Sequence, residues 1–214
     1  MATVAGVSFD GVAQPYALLE RLIFGRALEQ CRVSLLSSLP PVRRALFLGE
    51  GDGRFLEQYV HAFPETDVDV VEPSGEMIRL ARQRVPGSRV QFLQGDALKV
   101  ELPEGAYDLV VTHFVFDLFE EQDAAQLVEK MVEKIVRAAP QGSWLVSEFH
   151  KLHGRPATAL LLAAMYAFFR VTTGLQTRAV PDYTRLFTRY GMAKHAAWST
   201  WGGFIVSELW SRQE

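Results

Sequence analysis

Three glycines at alternate positions, Gly49, Gly51 and Gly53, follow a short apolar run and precede a helical pattern. Because glycine has no Cβ, a turn of this composition lets a ligand approach the backbone closely, and the helix after it offers free N–H groups. Two carboxylates, Glu72 and Asp96, stand after two further apolar runs. A carboxylate can accept hydrogen bonds from both hydroxyls of a ribose, or from the exocyclic amine of a base. The three positions together predict a nucleoside-binding site.

The spacing of the glycines separates two kinds of nucleotide site. A dinucleotide-binding turn has the pattern Gly-x-Gly-x-x-Gly, whose third glycine would fall at position 54. Gly49 and Gly51 fit that pattern, but position 54 holds Arg54. A nicotinamide-dependent oxidoreductase is therefore a disfavoured alternative. A tight turn without any ligand is a second alternative, but it leaves Glu72 and Asp96 at two other strand ends unexplained.

Short apolar runs precede all these positions and alternate with helical patterns. Their length and continuity are typical of strands buried on both faces. The predicted strands are 45–48, 68–71, 90–93, 109–111 and 144–149. Strands that alternate with helices indicate a parallel sheet, which right-handed crossovers make doubly wound. Ligands bind beyond the carboxyl ends of the strands in such a sheet, and the glycines and carboxylates fall there.

The flanking regions complete the predicted fold. Helices are expected at 16–39, 54–62, around 77–81, around 127–136, at 156–172 and after Pro181. Residues 194–200 and 204–209 are predicted strands joined across 201–203, which indicates an antiparallel hairpin at the sheet edge. We therefore expect an α/β fold with a doubly wound, Rossmann-like, seven-stranded sheet, mostly parallel with an antiparallel C-terminal hairpin. We interpret residues 1–214 as one domain, with an N-terminal helical cap (1–41), a cofactor-binding core (42–150), and substrate-side helices with the edge hairpin (151–214).

Composition excludes several classes of protein. The chain has 214 residues, 49% of them hydrophobic, and a formal net charge of -3, so a globular protein without a broad nucleic-acid-binding surface is expected. A single cysteine, Cys31, excludes an internal disulfide framework or a cysteine-based zinc cluster, and its apolar surroundings predict a core position. The longest uncharged apolar run, 156–169, is shorter than the ~20 residues that span a bilayer. The first basic residue is Arg21, so a signal peptide would lack its charged start and a cytoplasmic location is favoured.

Four segments carry a family resemblance: ALFLGEGDGRF, VVEPSGEMI, FLQGDA and YDLVVTHF. In this order and at this spacing they resemble the class I S-adenosylmethionine-dependent methyltransferases, over about residues 42–150. The resemblance implies S-adenosyl-L-methionine as the cofactor, S-adenosyl-L-homocysteine as its product, and methyl transfer to a small-molecule substrate.

The resemblance also implies roles for individual residues. The three glycines would contact the methionine half of the cofactor, Glu72 would hold the ribose, and Met77, Asp96 and Ala97 would lie near the adenine. Tyr16 is included because N-terminal helices in the family often close over the cofactor. The full expected cofactor-binding set is Tyr16, Gly49, Glu50, Gly51, Gly53, Glu72, Pro73, Met77, Gly95, Asp96, Ala97 and His113.

One position departs from the family pattern. The family usually has an acidic residue two positions before the first of these glycines, where this chain has Phe47. Glu50 or Asp52 would then supply the negative charge for the methionine ammonium.

Candidate catalytic residues follow the fourth and fifth strands. Methyl transfer mainly needs donor and acceptor to be aligned, and a base helps when the acceptor is a hydroxyl or an acidic carbon. The candidate bases are His113, Asp117 and His150, with Glu148 near the last. His113 can instead pack beside the cofactor, and Asp117 can cap the turn that follows. No metal site is expected. The Asn-Pro-Pro-aromatic signature of methyltransferases acting on planar amides is absent after the fourth strand.

The apolar segment 156–169 bears on the substrate. It can be a core helix, a wall of an apolar substrate pocket lined by Tyr16, Tyr166, Phe168 and Phe169, or a surface that contacts a second copy or a membrane. The segments WLVSEFHK and GGFIVSELW are similar in layout to the ubiquinone and menaquinone C-methyltransferases, which favours an apolar or aromatic acceptor. O-, C- and N-methylation stay open, as do monomer and homodimer. A non-catalytic cofactor-binding module is the main alternative to an enzyme.

Overall fold

Seven strands form one sheet in this computed structural model, which describes residues 24–87, 89–103, 107–134, 142–150, 152, 156–173, 177 and 180–212. The strands are β1 (Arg44–Leu48), β2 (Asp67–Glu72), β3 (Val90–Gln94), β4 (Leu109–His113), β5 (Ser143–Phe149), β6 (Met192–Thr200) and β7 (Ile205–Arg212). Their order across the sheet is β3-β2-β1-β4-β5-β7-β6. Every predicted strand is present, and its ends differ from the predicted ones by three residues at most.

The pairing directions confirm the predicted sheet. β1 pairs in parallel with β2 on one side and with β4 on the other, and β4 pairs in parallel with β5. β7 pairs antiparallel with both β5 and β6. The chain moves outward from β1 to β3 and then restarts at β4, so the strand order reverses beside β1. Ligands of doubly wound sheets bind at this reversal, beyond the carboxyl ends of the strands.

Helices cover both faces of the sheet. They are α1 (Ala27–Val33), α2 (Arg54–Ala62), α3 (Gly75–Arg84), α4 (Glu121–Lys134), α5 (Pro156–Thr173) and α6 (Tyr183–Arg189). Because side chains alternate along a strand, each strand contributes to two cores. One core packs Leu46, Val110 and Trp144 against α4 and α6, and the other packs Phe47, Val111 and Leu145 against α2. This arrangement explains why β1, β4 and β5 are mostly apolar.

The N-terminal helix differs from its prediction. The expected helix over 16–39 is wrong in its described part, since Gly25 adopts a φ of 58° and α1 ends at Val33. The Ser34 hydroxyl donates to the Cys31 carbonyl at 2.8 Å, which competes with continued helical hydrogen bonding. Cys31 itself is buried, and its thiol donates to the carbonyl of Val206 at 3.1 Å, as expected of a core cysteine. Tyr16 lies outside the described residues.

The apolar helix α5 has one buried and one exposed face. Tyr166 is 5% exposed, whereas Leu160 is 72% exposed. The side chains of Phe168 and Phe169 lie outside what the structure describes. Within the described ranges, no helix combines the length and the apolar character needed to cross a membrane.

Candidate active site

The glycine-rich turn connects β1 to α2. Gly51 has a φ of 70°, and a Cβ added there would meet no atom within 4 Å, so its backbone faces open space. Gly53 precedes α2 with a φ of 84°, and a Cβ there would lie 2.8 Å from Cα of Ala81 in α3. Gly53 therefore permits close helix packing, while Gly51 leaves room for a ligand against the chain.

Glu72 joins the end of β2 to this turn. Its side chain is 4% exposed, and one carboxylate oxygen accepts a hydrogen bond from the Gly51 N–H at 3.1 Å. The other oxygen accepts from the Ser74 N–H at 3.0 Å. These two hydrogen bonds fix the carboxylate beside the glycine turn. The predicted neighbourhood of Glu72 and the glycine turn is present.

Asp96 lies at the third strand end, next to Glu72. The N–H of Gly95 donates to the backbone carbonyl of Glu72 at 3.2 Å, which holds the two strand ends together. Asp96 accepts from the Leu98 N–H at 2.9 Å and lies 3.3 Å from Nζ of Lys99. The ammonium of Lys130 in α4 donates to the carbonyls of Ala97, Leu98 and Val100, at 2.9, 3.2 and 2.7 Å. Hydrogen bonds to β2 and to α4 therefore hold the loop after β3 in place.

The start of α3 lies beside the same carboxylate. Ser74 caps the helix, because its hydroxyl accepts from the Met77 N–H at 3.2 Å. The carbonyl of Pro73 accepts from the Gln94 side-chain amide at 3.2 Å, which ties the end of β2 to β3. Pro73 directly follows Glu72 after β2, and Met77 lies in the first turn of α3.

The position of the missing family carboxylate is filled by an aromatic core. Phe47 is fully buried, with its ring centroid 5.8 Å from that of Phe55 and 4.9 Å from that of Tyr59. Asp52 and Glu50, the two residues that could replace this carboxylate, differ in their surroundings. Asp52 lies 2.9 Å from Arg54 and 3.3 Å from Arg84, so its charge is balanced.

Glu50 has a different environment from Asp52. Its carboxyl accepts a hydrogen bond from the Leu56 N–H in the first turn of α2, at 2.8 Å. Burial raises the pKa of Glu50 to about 8, although the Leu56 N–H and the nearby charge of Arg32 oppose that rise. Arg32 of α1 also lies over the ring of Phe114, with 5.1 Å between its Cζ and the ring centroid. A cationic ligand group near Glu50 would favour the ionised carboxylate.

His113 ends β4 on the face covered by α2. It is 7% exposed, and its ring stands edge-on to Phe55 with 4.4 Å between centroids. Nδ1 lies 2.8 Å from Oγ of Ser147, whose hydroxyl donates to Ser207 at 3.1 Å. Nε2 has no hydrogen-bond partner among the described residues. Burial lowers the pKa of His113 well below its usual value, so the ring is neutral at pH 7.

Asp117 and Glu148 meet on the opposite face of the sheet. Asp117 lies in the short 3-10 turn Phe116–Leu118 after β4, and Glu148 lies near the end of β5. The Asp117 N–H donates to the Glu148 carboxyl at 3.3 Å. Both side chains are buried, and so is Tyr166 of α5, whose pKa both carboxyls raise further after burial itself. Asp117 was predicted from the sequence as a candidate base, but its pairing with Glu148 was not.

His150 belongs to a separate network beside this pair. Its Nε2 lies 2.7 Å from the hydroxyl of Tyr183, which donates to Glu208 at 3.2 Å. Glu208 also accepts from the Lys194 ammonium at 2.9 Å and from the Trp210 indole at 3.1 Å. Burial lowers the pKa of His150. The structure therefore places His150 in a different set of contacts from His113 and Asp117.

Phe114 was not singled out by the sequence. Its φ is 56°, a left-handed conformation that is costly for a residue with a bulky side chain. The next residue, Val115, packs against the glycine turn, since a Cβ on Gly49 would lie 2.9 Å from a methyl carbon of Val115. The bend at Phe114 thus brings the chain after β4 against the end of β1. Nothing in the residue type of Phe114 signals this conformation.

Comparisons with known proteins agree with this geometry. Residues 45–142 match a family model described as a methyltransferase domain. Demethylmenaquinone methyltransferase from Thermus thermophilus is 33% identical over 147 residues, which cover 66% of this chain and 64% of that protein. The ubiquinone/menaquinone biosynthesis C-methyltransferase UbiE from Methylobacterium nodulans is 26% identical over 149 residues, covering 66% of this chain and 57% of that protein. The matched region therefore spans less than two thirds of either relative.

Solved structures show the same fold. Human N-acetylserotonin methyltransferase, solved in complex with S-adenosylmethionine, superposes with a TM-score of 0.67 at 20% identity, over 97% of this chain and 57% of that one. An O-methyltransferase family protein from Burkholderia thailandensis superposes with a TM-score of 0.68 at 18% identity, over 96% of this chain and 58% of that one. The chain therefore has the fold of the class I S-adenosylmethionine-dependent methyltransferases, and its residues 45–142 match a methyltransferase domain.

Proposed function

We propose that this protein transfers the methyl group of S-adenosyl-L-methionine to a small, apolar or aromatic molecule. The observation that carries the proposal is the hydrogen bond between the buried Glu72 carboxylate and the Gly51 N–H, at the end of β1 where the backbone is open. A ribose beside Gly51 would find a carboxylate that is already fixed in position. This is what an adenosyl group requires, so the residues present fit the cofactor.

We assign the cofactor contacts by strand end. Gly49, Gly51 and Gly53 would border the methionine half, and Glu72 would hold the ribose hydroxyls. The adenine would lie between the start of α3 and the loop after β3, near Pro73, Met77, Gly95, Asp96 and Ala97. Tyr16 stays a predicted contact of the N-terminal region. When bound, the cofactor supplies an electrophilic methyl group on a sulfonium.

Glu50 is our candidate for the charge that Phe47 cannot provide. Asp52 is already paired with two arginines, whereas the Glu50 carboxyl contacts a helix N-terminus and is held largely neutral by burial. An ammonium group at this point would shift Glu50 toward its ionised form, and the Leu56 N–H would hold the carboxylate in place.

The acceptor would lie beyond the ends of β4 and β5, under α5. The buried Tyr166 and the partly buried Leu161 and Leu162 give this helix an apolar inner face. His113, Asp117 and His150 remain candidates for catalysis on either side of these strand ends. The names of the two relatives refer to quinones, which agrees with an apolar aromatic acceptor.

The test is calorimetric titration of the purified protein with S-adenosylmethionine, S-adenosylhomocysteine and NAD. We expect the first two to bind and NAD not to bind. The protein is then incubated with methyl-labelled S-adenosylmethionine and a panel of phenols, quinols and amines of matched size, and labelled product is separated by extraction. Failure of both adenosyl compounds to bind would refute the proposal.

The main alternative is a binding module that retains the cofactor site without turnover. Phe47 in place of the family's acidic residue is the observation that favours it. Binding of S-adenosylmethionine with no labelled product from any class of acceptor would support this alternative.

A further inference from the structure

Two buried carboxyl groups are held together at the ends of neighbouring strands. Glu148 is fully buried near the end of β5, and one of its oxygens accepts from the Phe149 N–H at 2.9 Å. Its other oxygen accepts from the Asp117 N–H at 3.3 Å. The Glu148 carboxyl is thereby oriented by the backbone on both sides, and Asp117 is fixed next to it.

Two polar atoms in this region, one of them on Asp117 itself, lack a hydrogen-bond partner among the described residues. Oδ1 of Asp117 and the hydroxyl of Tyr166 are both buried and have no hydrogen-bond partner among the described residues. Asp117 is 7% exposed and Tyr166 is 5% exposed. Buried polar atoms nearly always have partners in folded proteins, so such a cluster points to a ligand that supplies them.

The pair is also short of positive charge. No ion pair reaches Asp117 or Glu148 in the described part of the chain, whereas the neighbouring buried Glu208 is paired with Lys194. In the described part of the chain, the other titratable groups facing this pair are Tyr166 from α5, Tyr183 from α6 and Cys31 from α1, and burial raises the pKa of each. Among these residues, an anionic molecule would meet only acidic groups.

The pair lies close to the proposed methyl donor. Val115, two residues before Asp117, packs against Gly49 in the turn that we assign to the methionine half. The carboxyl pair therefore stands beyond the ends of β4 and β5, next to the end of β1. An acceptor between the pair and the glycine turn would be positioned for transfer.

We propose that Asp117 is the general base of methyl transfer and that the acceptor is an uncharged molecule carrying a hydroxyl group, such as a phenol or an enol. This inference rests on the proposed function. The acceptor hydroxyl gives its proton to Oδ1 of Asp117, and the electron pair released makes the acceptor nucleophilic. Its oxygen or its conjugated carbon bonds to the methyl group while the carbon–sulfur bond breaks, leaving that electron pair on sulfur. Carbon attack is completed when Asp117 returns its proton to the acceptor oxygen and takes the proton of the methylated carbon.

Glu148 and Tyr166 act as positioning residues for this step. Burial raises the pKa of Asp117 to about 7, which suits a base working near neutral pH. Burial, and then Asp117, raise the pKa of Glu148, so Glu148 keeps its proton while Asp117 ionises. The Tyr166 hydroxyl donates to the acceptor oxygen and orients it.

The proposal is tested by binding of three probes that differ at one substituent: naphthalen-2-ol, naphthalene and naphthalene-2-carboxylate. Affinities are measured by fluorescence with S-adenosylhomocysteine saturating, between about pH 5.5 and pH 8.5, where the naphthol stays neutral. We expect the naphthol to bind on the order of tenfold more tightly than naphthalene at high pH. Its affinity should rise through about pH 7 as Asp117 ionises, while that of the carboxylate should fall.

Three variants separate the roles. In Asp117→Asn the pH dependence of naphthol binding should vanish, whereas in Glu148→Gln it should persist near pH 7 with weaker binding. Tyr166→Phe should lower naphthol affinity without moving the midpoint. Asp69→Asn is the control, because Asp69 is a buried carboxylate in β2 that pairs with Arg44 and should affect stability only.

The outcomes are distinct from those of the proposed function. Loss of S-adenosylhomocysteine binding would refute the cofactor assignment, and that measurement comes first. With the cofactor product bound, the inference is overturned by a naphthol affinity independent of pH, by equal binding of the naphthol and the carboxylate, or by failure of the naphthol to bind. It is equally overturned if the Asp117→Asn variant, shown to be folded by its melting temperature, still binds the naphthol with a pH midpoint near 7.

Discussion

The N–H of Gly51 donates a hydrogen bond to the carboxylate of Glu72 across 3.1 Å, which joins the ends of β1 and β2. The two residues are distant in sequence, and the parallel pairing of Leu48 with Val71 brings them together. A ligand bound at one of these residues would therefore lie beside the other. This relationship makes the cofactor assignment open to direct mutational tests.

Glu72→Ala should weaken S-adenosylmethionine binding. The change removes the only side-chain carboxylate that we assign to the ribose, and about 1–3 kcal/mol should be lost, as for an unmatched polar contact. The measurement is calorimetric titration at pH 7. Glu76→Ala is the matched control, because Glu76 lies on the surface of α3 and pairs with Arg79. Equal affinities of wild type and Glu72→Ala would contradict the ribose assignment.

Gly51→Ala should block cofactor binding at a modest cost in stability. Gly51 and Gly87 both have a φ of 70°, and an added Cβ meets no atom within 4 Å at either position. Alanine in this conformation costs roughly 1–2 kcal/mol, so the two variants should be destabilised alike in urea. Only Gly51→Ala should lose affinity for S-adenosylmethionine, because its methyl group would occupy the space that the ligand needs. Similar affinities in the two variants would argue against contact at Gly51.

Cofactor binding should release a proton from Glu50. Burial raises the pKa of Glu50 to about 8, so the carboxyl is largely protonated at pH 7, and a neighbouring ammonium would ionise it. Affinity should therefore rise with pH up to about pH 8. Calorimetry in buffers of different ionisation enthalpy counts the protons released. Glu50→Gln should abolish the release, and an unchanged proton count in that variant would exclude Glu50 as the ammonium partner.

His113 should make the protein less stable in acid. Burial lowers the pKa of His113, so below about pH 6.5 the unfolded chain binds a proton that the folded protein does not. The free energy of unfolding should fall by up to about 1.4 kcal/mol per pH unit from this residue. Urea denaturation at pH 7 and at pH 5.5 measures the fall. It should be smaller in His113→Gln, and since Asp117 and Glu148 titrate in both proteins, the difference isolates His113.

The strands and their ends were predictable because buried parallel strands are continuous apolar runs. Glycines and acidic residues at the ends of such runs signal ligand contacts, so Gly51, Glu72 and Asp96 could be identified without coordinates. The hairpin was predictable from the adjacent glycines Gly202 and Gly203.

Contacts between distant residues were less accessible. The pairing of Asp117 with Glu148 depends on β4 and β5 being neighbours and on the bend at Phe114, which no residue pattern announces. The long predicted N-terminal helix was wrong because apolar periodicity continues across Gly25, although the backbone there turns. Periodicity reports which side chains are buried and not whether the helix between them is continuous.

The place of β7 in the sheet bears on how the protein acquires its site during synthesis. β7 is the last of the seven strands in sequence, yet it lies between β5 and β6. During synthesis, one edge of β5 stays unpaired until residues 205–212 leave the ribosome. Until then, β6 also lacks its neighbour in the sheet. Exposed edges are prone to pairing with other chains. A nascent chain stalled before this strand would hold the glycine turn and Glu72 but leave Glu148 on an open edge, so maturation would proceed from the nucleoside side toward the acceptor side.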